Sequence, residues 1–158
     1  MSTVNVGDVA PDFDLAADGG GRVKLSDFAG KAVVLYFYPK DDTPGCTKEA
    51  QGFTESAADF AAAGAVVIGL SKDSVAAHNK FKAKYSLDLI LASDPEATVI
   101  GAYGSWVEKS LYGRNYMGID RSTFLIGRDG KLARIWRKVK VPGHVAEVLA
   151  AVNSLPGA

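Results

Sequence analysis

Ala32-Val33-Val34-Leu35-Tyr36-Phe37-Tyr38-Pro39-Lys40-Asp41-Asp42-Thr43-Pro44-Gly45-Cys46-Thr47 is the stretch that decides the fold. Its first part, from Ala32 to Tyr38, is a continuous apolar run of strand length, the pattern of a central strand covered on both faces. Pro39 ends the run and fixes φ, so the chain leaves the strand with little freedom. A short polar loop follows, and a helical pattern begins around Cys46. Its apolar residues Cys46, Ala50, Phe53, Ala57 and Phe60 share one face, and Gly64 is placed to end the helix. The sulfur of Cys46 is therefore expected at the mouth of a helix, facing the body of the protein. Backbone N–H groups are unpaired there and the helix dipole is positive, a setting that favours thiolate, the reactive form.

The same alternation continues in both directions. Asp18-Gly19-Gly20-Gly21 separates the short segments Phe13-Asp14-Leu15 and Val23-Lys24-Leu25 and reads as a hairpin turn. A phosphate-cradling glycine loop would need a helix after it. Ala65 to Leu70 reads as a second apolar strand, and Asp73-Ser74 as the cap of a helix that buries His78, Phe81 and Tyr85. Leu89-Ile90-Leu91 suits a short strand. Asp94-Pro95 supplies an N-cap followed by proline at the first helical position, which predicts a helix starting there with Val99, Ile100 and Tyr103 inward. Thr123 to Ile126 and Leu132 to Trp136 flank Gly127-Arg128-Asp129-Gly130, a hairpin with an Asp-Gly turn. A last helix is expected from about His144 to Asn153. The fold class is α/β, a mixed central sheet with helices on both faces, and residues 1–158 are read as one domain.

Bulk composition excludes several functions. Of 158 residues, 18 are basic and 18 acidic, so nothing points to nucleic acid, an anionic membrane or a polyanionic substrate. The basic cluster Arg134, Arg137, Lys138 and Lys140 reads as the exposed side of a strand and the following turn. No basic stretch with a long apolar run opens the chain, so no secretory signal is expected, and no apolar segment approaches bilayer length. The chain has one cysteine, which forbids an intrachain disulfide and suits a reducing compartment, here the cytoplasm. One cysteine and two distant histidines do not make a metal-ligand pattern, and no cofactor is called for.

A lone cysteine is most often a small buried hydrophobe with no chemistry. The setting of Cys46 argues otherwise. Thr43 lies where its hydroxyl can reach back to the sulfur or to a bound oxygen. Pro44 restricts Thr43 to extended conformations and can shield the sulfur from water. Gly45 lets a small substrate approach the backbone closely. Asp41 and Asp42 would disfavour a thiolate while Lys40 and Lys48 would favour it, all of them screened if at the surface. Arg121, immediately before the strand from Ser122 to Ile126, is the candidate for a buried permanent cation.

These residues resemble the peroxiredoxins. Tyr36 to Thr47 is similar to the peroxidatic motif, and the likeness is greatest to the bacterioferritin-comigratory, or Q-type, subfamily. It extends over Gly7 to Phe13, Leu25-Ser26-Asp27-Phe28, Ser93-Asp94 and Gly118 to Ile126. The resemblance implies a thioredoxin-like fold with an N-terminal β-hairpin extension, and a thiol-dependent peroxidase acting on hydrogen peroxide and organic hydroperoxides. Cys46 would be the peroxidatic cysteine and pass through a sulfenic acid. Thr43 would hydrogen-bond the thiolate and peroxide, Pro39 would shape the pocket, and Arg121 would support the charged sulfur. The chain departs from the subfamily where a resolving cysteine is carried: one such position is Gln51, and the other region holds Lys82, Ala83 and Lys84. An external thiol is therefore expected, from thioredoxin, glutaredoxin, glutathione or a second copy, with the protein a monomer or weak dimer.

Two rivals remain at this point. A redox sensor or chaperone would share every residue named. A cysteine hydrolase would need a histidine base, but His78 and His144 lack an evident third orienting group and read as structural or solvent-facing. Tyr103, Trp106 and Tyr112 read as packing residues.

Overall fold

The computed structural model describes residues 4–156, and the opening residues read above for a secretory signal lie partly outside them. Nine strands and five α-helices follow in the order β1 (Asp14–Ala17), β2 (Arg22–Lys24), β3 (Ala32–Phe37), α1 (Pro44–Glu55), α2 (Ala57–Ala62), β4 (Ala65–Ser71), α3 (Val75–Tyr85), β5 (Ile90–Ser93), α4 (Thr98–Ala102), β6 (Trp106–Leu111), β7 (Arg114–Ile119), β8 (Ser122–Ile126), β9 (Leu132–Trp136) and α5 (His144–Asn153) among the described residues. Seven strands form one mixed sheet in the order β2-β1-β5-β4-β3-β8-β9. β3 is central. It pairs in parallel with β4 and antiparallel with β8, so Phe37 lies opposite both Leu70 and Ser122.

Every residue of β3 is buried, as an apolar strand between two layers must be. Alternate side chains go to opposite faces. Val33, Leu35 and Phe37 pack with Phe13, Val99, Ile100 and Tyr103, under α4 and the N-terminal segment. Val34, Tyr36 and Tyr38 pack with Cys46, Ala50, Phe53, Phe60, Phe81 and Val148, under α1, α2, α3 and α5. The Tyr36 ring stacks on Phe53 at 4.7 Å between centroids and lies over Gly69, where a Cβ would meet its ring carbon at 2.8 Å. Gly69 is thus what lets the ring lie flat on β4.

The glycine run closes the β1–β2 hairpin, with Gly19 and Gly20 at positive φ, and β1 joins the edge of the main sheet through β5. Several expectations need correction. The helix predicted to run from Cys46 to Gly64 is two helices broken at Ser56, where ψ is 9°; the apolar face continues across the break, so periodicity alone did not reveal it. The helix expected at Asp94-Pro95 starts at Thr98, because Ala97 takes a left-handed φ of 58° and Pro95 sits in a turn. Asp94 still serves that helix, accepting from Thr98 N and Ile100 N. Finally, β6 and β7 form a separate two-stranded ribbon that was not anticipated. Tyr112, read as a packing residue, stands at its tip and is 96% exposed, whereas Tyr103 is fully buried. Of the basic cluster, Arg137 is not simply solvated: it donates to the carbonyls of Tyr103 and Gly104.

No helix among the described residues is long and apolar enough to cross a membrane.

Candidate active site

The chain leaves β3 at Tyr38 and turns through Pro39, which is exposed, into α1. Thr43 is the N-cap residue in extended conformation, and Pro44 occupies the first turn, where its missing N–H costs nothing. The first bond of the helix runs from Thr47 N to Thr43 O at 2.8 Å. The N–H groups of Gly45 and Cys46 therefore lie outside the helical ladder and point out of the positive end of the helix. Cys46 is 1% exposed, and Thr43, Pro44 and Gly45 immediately precede it at the start of the helix.

Arg121 closes the other side. The antiparallel pairing of β8 with β3 brings the residue before Ser122 to the end of β3 where the loop departs. Its backbone carbonyl is held by Val139 N. One guanidinium nitrogen, Nη2, donates to Cys46 Sγ at 3.3 Å, and Nη1 donates to Glu49 Oε1 at 2.6 Å. Cys46 and Glu49 are one turn apart on the same face of α1, so a single planar guanidinium spans both. Burial works against the charge of Arg121, but Glu49 and Cys46 more than compensate and hold it more firmly protonated. Gly45 matters here in an unforeseen way. A Cβ at that position would lie 3.2 Å from Arg121 Nη2, so its small size leaves room for the arginine.

Glu49 was missed by the sequence reading. It is fully buried, and Oε2 is among the buried side-chain atoms without a hydrogen-bond partner. Burial pushes its carboxyl up, against the pull of Arg121, from an ordinary 4.5 to about 7. A charged residue falling in register with Cys46, Ala50 and Phe53 was the available signal.

Thr43 lies beside the sulfur's helix turn, but its hydroxyl donates to Lys40 O at 2.8 Å rather than to the sulfur. Its lone pairs remain available to accept. Asp41, read as a screened surface charge, is buried instead. Tyr38 donates its hydroxyl proton to Asp41 Oδ1, and His78 Nδ1 lies 2.7 Å from Asp41 Oδ2. His78 is thus an oriented residue, with Nε2 against Ala92 O at 2.9 Å. Burial opposes its charge, but the hydrogen bond and charge of Asp41 raise it above its ordinary value. His144 is held low by burial and meets Thr123 Oγ1 at 2.8 Å. Neither histidine hydrogen-bonds the sulfur.

Residues 6–135 match the AhpC/TSA family. The chain is 53% identical over 147 residues to a putative peroxiredoxin bcp of Coxiella burnetii, covering 93% of this chain and 97% of the relative. It is 50% identical over 153 residues to peroxiredoxin Bcp of Bacillus subtilis, covering 97% and 98%. A crystal structure of a Xylella fastidiosa PrxQ variant superposes with a TM-score of 0.92 at 39% identity and 98% coverage of both chains. A Xanthomonas campestris bacterioferritin comigratory protein, described for its alkyl peroxide reduction activity, superposes with a TM-score of 0.89 at 40% identity, again with 98% of both chains covered. With this likeness spread over nearly its whole length, the chain belongs to the AhpC/TSA family and, within it, to the Bcp or Q-type peroxiredoxins.

Proposed function

We propose that Cys46 is the residue through which this thiol-dependent peroxidase reduces its substrates. The observation that carries the assignment is the contact between the one sulfur nucleophile at the start of α1 and a permanently charged, partly buried guanidinium 3.3 Å away. In the first step the Cys46 thiolate attacks one peroxide oxygen. An S–O bond forms, the O–O bond breaks, and the departing oxygen takes a proton and leaves as water or an alcohol. Cys46 becomes a sulfenic acid. Arg121, with the N–H groups of Gly45 and Cys46, stabilises charge as it moves onto the departing oxygen. Thr43, its proton committed to Lys40 O, accepts from the peroxide hydroxyl and aligns it. Pro39, Pro44 and Gly45 form the rim that keeps the mouth narrow.

The second step needs a thiol from another molecule, because the sequence holds no other cysteine. That thiol displaces water from the sulfenic acid and forms a mixed disulfide. A further thiol releases Cys46 and carries away the oxidised reductant. Thioredoxin, glutaredoxin and glutathione fit this requirement in a reducing cytoplasm, with the whole chain working as one thioredoxin-like domain, monomeric or weakly dimeric.

The test is to mix reduced protein with one equivalent of hydrogen peroxide, trap with a sulfenic-acid reagent and locate the adduct by mass analysis. The adduct is expected on Cys46, and Cys46→Ser is expected to abolish both adduct and peroxide consumption. Unchanged consumption by Cys46→Ser would refute the assignment. Repeating the assay with each thiol system identifies the reductant.

A further inference from the structure

The loop that delivers Cys46 is tied to α3 at two adjacent residues. Asp41 is held from below: its carboxylate receives Tyr38 Oη and faces His78 Nδ1 at 2.7 Å, and its backbone N–H donates to Asp73 Oδ2 at 2.8 Å. Asp73 is itself fixed by Ser71 Oγ at 2.7 Å. His78 is completely buried and Asp41 nearly so, which makes this a desolvated pair whose partners must both be present. Asp42 is held from the side: Lys84 Nζ reaches Oδ2 at 2.8 Å and Tyr85 Oη donates to Oδ1 at 2.6 Å. Asp42 keeps a left-handed φ of 62°, a conformation that persists only when its surroundings hold it. The Cys46 chemistry described above uses neither aspartate, and neither touches the sulfur.

We propose that α3, through His78 on Asp41 and Lys84 with Tyr85 on Asp42, clamps the loop before Cys46 and thereby sets how long the oxidised sulfur stays in the folded peroxide pocket. His78 is then a positioning residue for the reaction. The inference rests on the assignment of Cys46 given above. Two fates compete for the sulfenic acid. In the clamped pocket a second hydroperoxide can react: the sulfenate sulfur gains one oxygen, the peroxide is reduced to water or alcohol, and a sulfinic acid results. When the loop loosens and the first turn of α1 opens, that pocket is lost and an outside thiol gains access. A tighter clamp lengthens exposure to the first fate, and a looser one favours the second.

The experiment compares the intact protein with His78→Leu, His78→Asn and the surface double variant Lys84→Ala/Tyr85→Phe. In His78→Asn the side-chain amide places a donor near the position of Nδ1. The double variant removes only exposed contacts, so it folds even if His78→Leu does not. Two quantities are read. Hydrogen exchange of residues 40–49 in the reduced protein needs no peroxide and reports the clamp directly. The fraction of Cys46 converted to sulfinic acid per turnover, at fixed peroxide and thiol, reports its effect on the chemistry. His78→Leu and the double variant are expected to exchange that segment at least about tenfold faster, with β3, β4 and β8 unchanged, and to yield about threefold or more less sulfinic acid per turnover. His78→Asn is expected to recover toward the intact protein in both. A change that only reduced the amount of folded enzyme would lower total activity and leave the yield per turnover unmoved, and that result would overturn the proposal. Unchanged exchange in every variant would overturn it as well. If instead the intact protein forms no sulfenic acid on Cys46, the function assignment is what fails, and the exchange measurement still decides the clamp.

Discussion

Glu49→Gln isolates the cost of keeping a carboxyl beside Arg121 in the interior. Glu49 is fully buried, with one oxygen on Arg121 Nη1 at 2.6 Å and the other without a partner. Its folded-state value of about 7 lies above the ordinary 4.5 because burial outweighs the arginine. Between those two values the unfolded chain has released a proton that the folded protein still holds. Stability contributed by this group therefore falls as pH rises, and the loss is complete above the folded value. Each unit of displacement corresponds to about 1.4 kcal/mol, so the gap between 4.5 and about 7 amounts to roughly 3 kcal/mol. Glutamine has nearly the same shape and no proton to lose. Urea unfolding of both proteins across about pH 4 to 8 should show similar stabilities at the acid end. The variant should become progressively more stable than the parent by about 3 kcal/mol toward the alkaline end. His78 contributes a pH dependence of its own. Its raised value gives stability that is present below its ordinary 6.5 and lost as pH rises through the folded value. That contribution is common to both proteins and cancels in the difference. A difference between the two curves that stays flat with pH would refute the reasoning.

Three further outcomes follow from the same geometry. Arg121→Lys keeps a positive charge but cannot span Cys46 and Glu49 together, and the rate constant for peroxide, measured by stopped flow, should fall about a hundredfold. Gly45→Ala places a methyl 3.2 Å from Arg121 Nη2 and should lower the same rate about fivefold with little change in unfolding midpoint; an unchanged rate would mean the guanidinium has room to spare. Gly69→Ala drives a Cβ to 2.8 Å from the Tyr36 ring and should cost about 1–3 kcal/mol in urea unfolding, partly restored by Tyr36→Leu in the same chain.

What the sequence disclosed follows from where each segment lies. β3 is legible because burial on both faces leaves no polar position, and α5 because its apolar stripe starts just after Pro142-Gly143 and matches the observed His144–Asn153. The ribbon of β6 and β7 is not legible, because most of its side chains meet solvent on either face and no periodicity survives. Cys46, Thr43, Pro44 and Gly45 are local in sequence, so their shared setting can be read directly. Arg121 can be named as a candidate, but its contact with Cys46 depends on the pairing of β8 with β3. Asp41 escapes for a different reason. A charged residue in a polar loop reads as solvated, and only the fold supplies the buried imidazole and phenol that let it leave water.

The separation of Cys46 from Arg121 along the chain has a consequence for synthesis. Their contact spans 75 residues, and it forms only when β8 docks beside β3. A growing polypeptide that has already released α1 from the ribosome still lacks its guanidinium partner, and gains it only after most of the remaining translation is done. On the assignment proposed above, the guanidinium's support of the sulfur is thus withheld from half-made chains until β8 has docked.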